Sequence, residues 1–122
     1  EGLGANDSLS IACGLVKRSN TAWAIDEQRH WMGLWGMTNN DTANGFLGTA
    51  VILPLSAIAE YTEDKDQFLS ITRAASNETF TYYAGAGWSR NDGPASDNDW
   101  KAYLDNVVRR LKNPIKYSIT TK

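Results

Sequence analysis

Phe80-Thr81-Tyr82-Tyr83-Ala84-Gly85-Ala86-Gly87-Trp88, with the helix written just after it, is the stretch that decides the fold. A run of aromatic and small residues ending on tryptophan reads as a β-strand from Thr79 to Trp88. Its period of two divides it into Phe80, Tyr82, Ala84, Ala86 and Trp88 on one face. Thr79, Thr81, Tyr83, Gly85 and Gly87 lie on the other. Ser89 to Asn98 is a polar linker. Trp100, Tyr103, Leu104, Val107, Val108 and Leu111 then recur at helical spacing, one apolar stripe on a helix over about residues 97–112. Ser96 and Asp99 resemble a capping box, Asp97 and Asp99 suit the positive end of the helix dipole, and Arg109, Arg110 and Lys112 suit the negative end. The stripe has no helical partner in this chain, so it must lie on a sheet. The spacing does not choose the face. If the helix covers Phe80, Tyr82 and Trp88, then Tyr83, the glycine backbone and the exit loop through Arg90 and Asp92 are what is left for function.

The rest of the chain supplies that sheet. Strands are expected at Ser8–Val16, Thr21–Ile25, Trp31–Met37, Phe46–Leu53 and Phe68–Arg73, with a last one at Ile115, Tyr117 and Ile119. Both faces of Trp31–Met37 carry large apolar groups, as in a central strand. Pro54 ends its strand because proline cannot donate to a ladder. Leu55, Ile58 and Tyr61 recur every three residues and permit one or two helical turns. Thr62 to Asp66 is a solvated charged turn. The expected architecture is mainly β: six to eight strands in an antiparallel β-sandwich, either whole or part of a larger supersandwich, with one C-terminal helix on a sheet.

A chain of 122 residues reads as one domain, residues 1–122, or as the C-terminal piece of a larger sandwich. The opening Glu1-Gly2-Leu3-Gly4 fits a processed product or fragment. In that case some strands lack neighbours, and self-association or pairing with a missing N-terminal part would cover them. A net charge of -2 with interspersed signs argues against nucleic acid. The apolar run Ala50–Leu55 is too short for membrane insertion. Cys13, the lone cysteine, is expected to be a buried small hydrophobe. No metal ligand set, cofactor motif, nucleophile elbow or phosphate loop is found.

Candidate chemistry is thin. The catalytic candidates are Asp41, Arg90, Asp92 and His30: acids or bases in the carboxylates and histidine, a carboxylate clamp in the arginine. Each also fits a turn or surface role. Trp35, Asn39, Asn40, Tyr83 and Trp88 are the candidate ligand contacts, rings to stack on a sugar and amides to meet its hydroxyls. Packing and Asx-turns explain the same residues without a ligand. Asn40-Asp41-Thr42 and Asn77-Glu78-Thr79 match the N-glycosylation pattern.

Several blocks resemble the C-terminal part of a bacterial domain-of-unknown-function family, DUF4861. They are Leu9–Gly14, Trp31–Trp35, Gly45–Val51, Thr81–Trp88 and the Asp99-Trp100 helix start through Tyr103, Leu104, Leu111 and Pro114. The resemblance implies a large β-sandwich of the kind seen in sugar mutarotases and some polysaccharide lyases. It also implies a role in bacterial polysaccharide utilisation and a periplasmic or secreted location. It brings no residue-level mechanism. Three readings follow: a carbohydrate-binding or carbohydrate-processing protein with an oligo- or polysaccharide partner, a structural or interaction module, or a lyase or glycosidase.

Overall fold

The computed structural model describes residues 8–39, 42–75, 77–90 and 92–113. Seven strands and one helix are found there: β1 (Ser8–Val16), β2 (Thr21–Asp26), β3 (Trp31–Met37), β4 (Phe46–Ile52), β5 (Ala59–Glu63), β6 (Gln67–Ala75), β7 (Tyr83–Trp88) and α1 (Asp97–Lys112), with a short 3-10 turn at Thr42–Asn44. They form two antiparallel sheets, one ordered β1-β6-β5 and the other β2-β3-β4-β7. The strand expected at Ile115, Tyr117 and Ile119 lies outside the described residues.

β3 is the centre, and its alternation explains why. Met32 and Leu34 point between the sheets and pack with Cys13, Leu15, Val51 and Leu53. Trp31 and Trp35 point to the opposite face and pack with Ala50, Ile52, Trp100, Leu104 and Val108. The sandwich therefore has three layers: a small sheet, a larger sheet, and α1 on the outer face of the larger one. Cys13 takes the expected role of a buried hydrophobe, and burial raises its thiol pKa. At the flank, Trp23 of β2 stacks on Phe68 of β6, their ring centroids 4.1 Å apart.

α1 follows the expected bounds. Ser96 caps it, its side chain accepting from the Asp99 amide at 3.1 Å, while the Asp99 carboxylate reaches back to the Ala95 amide at 3.1 Å. Its stripe narrows at the edges: Trp100, Leu104 and Val108 are buried, whereas Tyr103 and Leu111 are exposed.

Two expectations are corrected. Leu55 to Tyr61 makes no helical turn beyond the tight bend closed by Ala57 N–H on the Pro54 carbonyl. From Ala59 the chain runs as β5, where Ala59 and Tyr61 face inward and the β6 ladder takes up the backbone groups. An isolated helical turn offers no comparable partners. Glu63 accordingly belongs to this strand, and the polar turn shrinks to Asp64–Asp66, where the Asp64 carboxylate caps the amides of Asp66 and Gln67. The second correction concerns the aromatic stretch. Pairing with β4 begins only at Ile52 with Tyr83, because Pro54 stops the partner strand, so residues 79–82 have no ladder there.

Candidate functional site

The register settles which face of β7 the helix covers. Trp35, Gly48 and Gly87 lie in one cross-strand row, and Gly33, Ala50 and Gly85 in the next. These rows of small residues form a floor for the Trp100 indole, which lies against Gly33, Gly48 and Gly87. The helix thus covers the Tyr83/Gly85/Gly87 face, and Trp88 does not tuck beneath it with Trp100. The opposite set points into the sandwich side: Phe80 packs on the inter-sheet core, while Tyr82, Ala84, Ala86 and Trp88 are exposed.

The candidate residues divide between the two ends of the large sheet. At one end stand His30 and Tyr83. His30 takes a left-handed conformation, φ 58°, in the β2–β3 turn, and its Nδ1 donates to the Pro54 carbonyl at 2.9 Å. Its backbone carbonyl accepts from Leu53 N–H. Both contacts hold the turn against the end of β4, which is a structural role. Tyr83 is half-exposed and borders two apolar cavities beside α1, of 310 Å³ and 200 Å³. The first runs towards Pro54 and Leu111, and the second lies over Gly85 beneath Tyr103.

At the other end the 38–45 loop meets the exit of β7. Thr38 closes the loop, its N–H and hydroxyl donating to the Gly45 carbonyl at 3.1 and 3.0 Å. Gly45, at φ 76°, turns the chain where a β-carbon would strike Ser89 and Arg90. The Ser89 hydroxyl accepts from Phe46 N–H at 2.9 Å. Trp88 Nε1 donates to the Asn44 carbonyl at 2.8 Å, and the Asn44 amide donates to the Asn39 side-chain oxygen at 3.0 Å. Trp88 keeps 44 % of its surface exposed although its ring is tethered. Asp92, at φ 53°, and Gly93 complete the exit turn, Gly93 passing close over the Trp88 carbonyl.

Asn39, Trp88, Arg90 and Asp92 therefore share one end of the sandwich. Asn40 and Asp41 lie outside the described residues. Trp35, expected as a stacking surface, is a core residue at 7 % exposure, packed between Phe46 and Trp100. Tyr83 and Trp88 do not combine: they sit on opposite faces of β7, about 17 Å apart along the strand at ~3.4 Å per residue. The Asn44 carbonyl and the Ser89 hydroxyl also belong to this corner, although neither residue was among the sequence candidates. Among the described residues, Arg90 makes no ion pair, and no cluster of three His, Cys, Asp or Glu side chains suits a metal. No helix among them is long and apolar enough to cross a membrane.

Comparison with curated proteins and with solved structures returns no match. The model of a family described as a domain of unknown function, DUF4861, matches residues 4–116, and the chain belongs to that family.

Proposed function

We propose that this sandwich binds carbohydrate at the corner where Trp88 meets the 38–45 loop. One observation carries the reading: an exposed indole whose Nε1 is fixed on the Asn44 carbonyl, so that the ring is oriented before any ligand arrives. A pre-set ring loses little freedom when a sugar stacks on it. Amide groups of Asn39 and Asn44 stand beside it, with hydroxyls as their natural partners. Arg90 adds a guanidinium suited to a carboxylate, which favours uronic-acid sugars over neutral ones. The resemblance to exported proteins of bacterial polysaccharide utilisation supports the same substrate class and a periplasmic or cell-surface setting.

A lyase or glycosidase reading has less behind it. His30 is engaged at the opposite end of the sheet, which leaves Asp92 as the described acid or base near Trp88. Binding without turnover is the stronger proposal.

Tryptophan fluorescence titrated with oligogalacturonate and with a neutral oligosaccharide tests it. The acidic sugar should shift the emission, and Trp88→Ala should weaken binding by about tenfold or more, a loss of ~1.4 kcal/mol. Arg90→Gln should erase the preference for the acidic ligand. Equal binding by the parent and Trp88→Ala proteins would end this reading.

A further inference from the structure

On the outer face of the small sheet two opposite charges stand close together and do not pair. Along β6, Ser70 and Thr72 are buried between the sheets, so Ile71 and Arg73 point outward. The register sets Ser10 of β1 opposite Arg73 and Glu60 of β5 opposite Ile71. Arg73 and Glu60 are therefore diagonal neighbours on one face, about 7–8 Å apart at the backbone and within reach of each other's long side chains.

The guanidinium is turned the other way, onto β1. Arg73 Nε and Nη2 donate to the Ser8 hydroxyl at 3.3 and 2.7 Å, and Nη1 donates to the Ser10 hydroxyl at 3.2 Å. Neither Arg73 nor Glu60 makes an ion pair among the described residues. An exposed ion pair gains little, so three hydroxyl contacts suffice to hold this one open. The hydroxyls are neutral. They leave the charge of Arg73 without a counter-ion, and they engage three of the five N–H donors that a guanidinium carries.

The gap between the charges is a cavity of 360 Å³, bordered by Arg73, Glu60, Ser10, Ser56, Ile58 and Ile71. Ile58 keeps 84 % of its surface exposed there, more than any other large apolar side chain among the described residues. A cation, an anion and an apolar patch thus meet around one small space.

We infer that this cavity binds a small zwitterion with an apolar body, the chemistry of a free aliphatic amino acid. Its carboxylate meets the N–H donors that the serines leave unused, and its ammonium meets the Glu60 carboxylate. Its aliphatic part covers Ile58 and Ile71. An apolar carboxylate without the ammonium would face Glu60 with the same sign of charge, and an apolar amine would face Arg73. No aromatic ring borders the cavity, so a sugar finds no stacking surface in it. The site lies on the small sheet, whereas Trp88 belongs to the large one, and it does not rest on the sugar reading.

The test is a titration of the full chain, followed through the methyl signals of Ile58 and Ile71 by nuclear magnetic resonance. The probes are leucine, 4-methylpentanoate, which lacks the ammonium, and 3-methylbutylamine, which lacks the carboxylate. Leucine should shift both methyls saturably, and the other two should bind about tenfold more weakly or worse. Arg73→Gln and Glu60→Gln should each weaken leucine binding by about tenfold. Replacing Ser8 and Ser10 together by alanine keeps both charges but frees Arg73 to close on Glu60, and it should weaken binding as well. Trp88→Ala should leave it unchanged. Absence of a saturable shift with leucine overturns the proposal. So does equal binding of all three probes, or leucine binding that neither Arg73→Gln nor Glu60→Gln alters. Sugar binding is scored separately with oligogalacturonate, so either proposal can fail alone.

Discussion

The indole of Trp100 rests on the backbone of Gly48: its Cδ2 and Cε2 atoms lie 2.5 Å from the point a β-carbon there would occupy. Trp100 is itself buried and wedged between Trp35 and Tyr103, so the ring has nowhere to retreat. Gly48→Ala should therefore cost about 2–3 kcal/mol in urea unfolding, at the upper end of overpacking effects. Gly85→Ala is the control from the same face. No atom lies within 4 Å of its missing β-carbon, and it should be neutral or gain up to ~1 kcal/mol from reduced freedom of the unfolded chain. Equal losses at both positions would mean that the glycines serve the strand rather than the indole.

Gly45 gives a prediction about the corner. Its positive φ and the nearness of Ser89 and Arg90 leave no comfortable place for a side chain. Gly45→Ala should cost about 1–2 kcal/mol and loosen the Asn44 carbonyl from Trp88. The readout is the emission of Trp88, which should move towards that of a free indole. A stable variant with unchanged emission would separate the loop from the tether.

Tyr61 has a buried hydroxyl with no hydrogen-bond partner among the described residues. Burial pushes its pKa up to about 12, with Glu27 and Asp26 adding to the shift. The raised folded pKa means that the neutral phenol stabilises the fold fully below pH 10 and that this contribution is lost as pH rises through about 12. Absorbance titration should show one tyrosine ionising late. Tyr61→Phe should be neutral or stabilising by up to ~1 kcal/mol, because it removes an unmet polar group. It should also abolish the late step.

Asp26 works with the opposite sign. Desolvation acts to raise its pKa, but hydrogen bonds from the Arg29 backbone and side chain, the Arg29 charge and the Gln28 amide outweigh it, and the net shift is downward. Its stabilisation is present above the ordinary carboxylate pKa and lost as pH falls through the depressed folded value. Asp26→Asn should cost about 0.5–1 kcal/mol at neutral pH. The two proteins should converge in strong acid. A gap that persists there would assign the effect to turn geometry instead of charge.

Elements whose information is local were legible in the sequence. α1 carries its cap, dipole charges and stripe within one segment, and β3 shows its double burial in its own alternation. β5 was missed because Leu55, Ile58 and Tyr61 mimic a helical period over a stretch too short to hold a helix, while the β6 ladder that decides the matter is a separate strand. The covered face of β7 was hidden for a similar reason. Rings and small residues occur in both of its alternate sets, and the choice falls to Gly33 and Gly48 on neighbouring strands, which open a flat floor for Trp100. Trp35 looked like a platform because aromatic content alone does not say whether a second ring lies above it. Trp88 became fixed through a backbone carbonyl, which no side-chain pattern encodes.

The pairing of β1 with β6 has a bearing on how the chain folds. Cys13 and Ser70 face each other across that ladder, 57 residues apart, whereas β2, β3 and β4 are successive neighbours. Loop-closure entropy favours the meander first and leaves β1 waiting until β6 has been made. During synthesis the neutral, glycine-containing β1 thus emerges before β2 to β7 and is among the last of these strands to find its place. Any polypeptide that captures it in that interval would compete with folding itself.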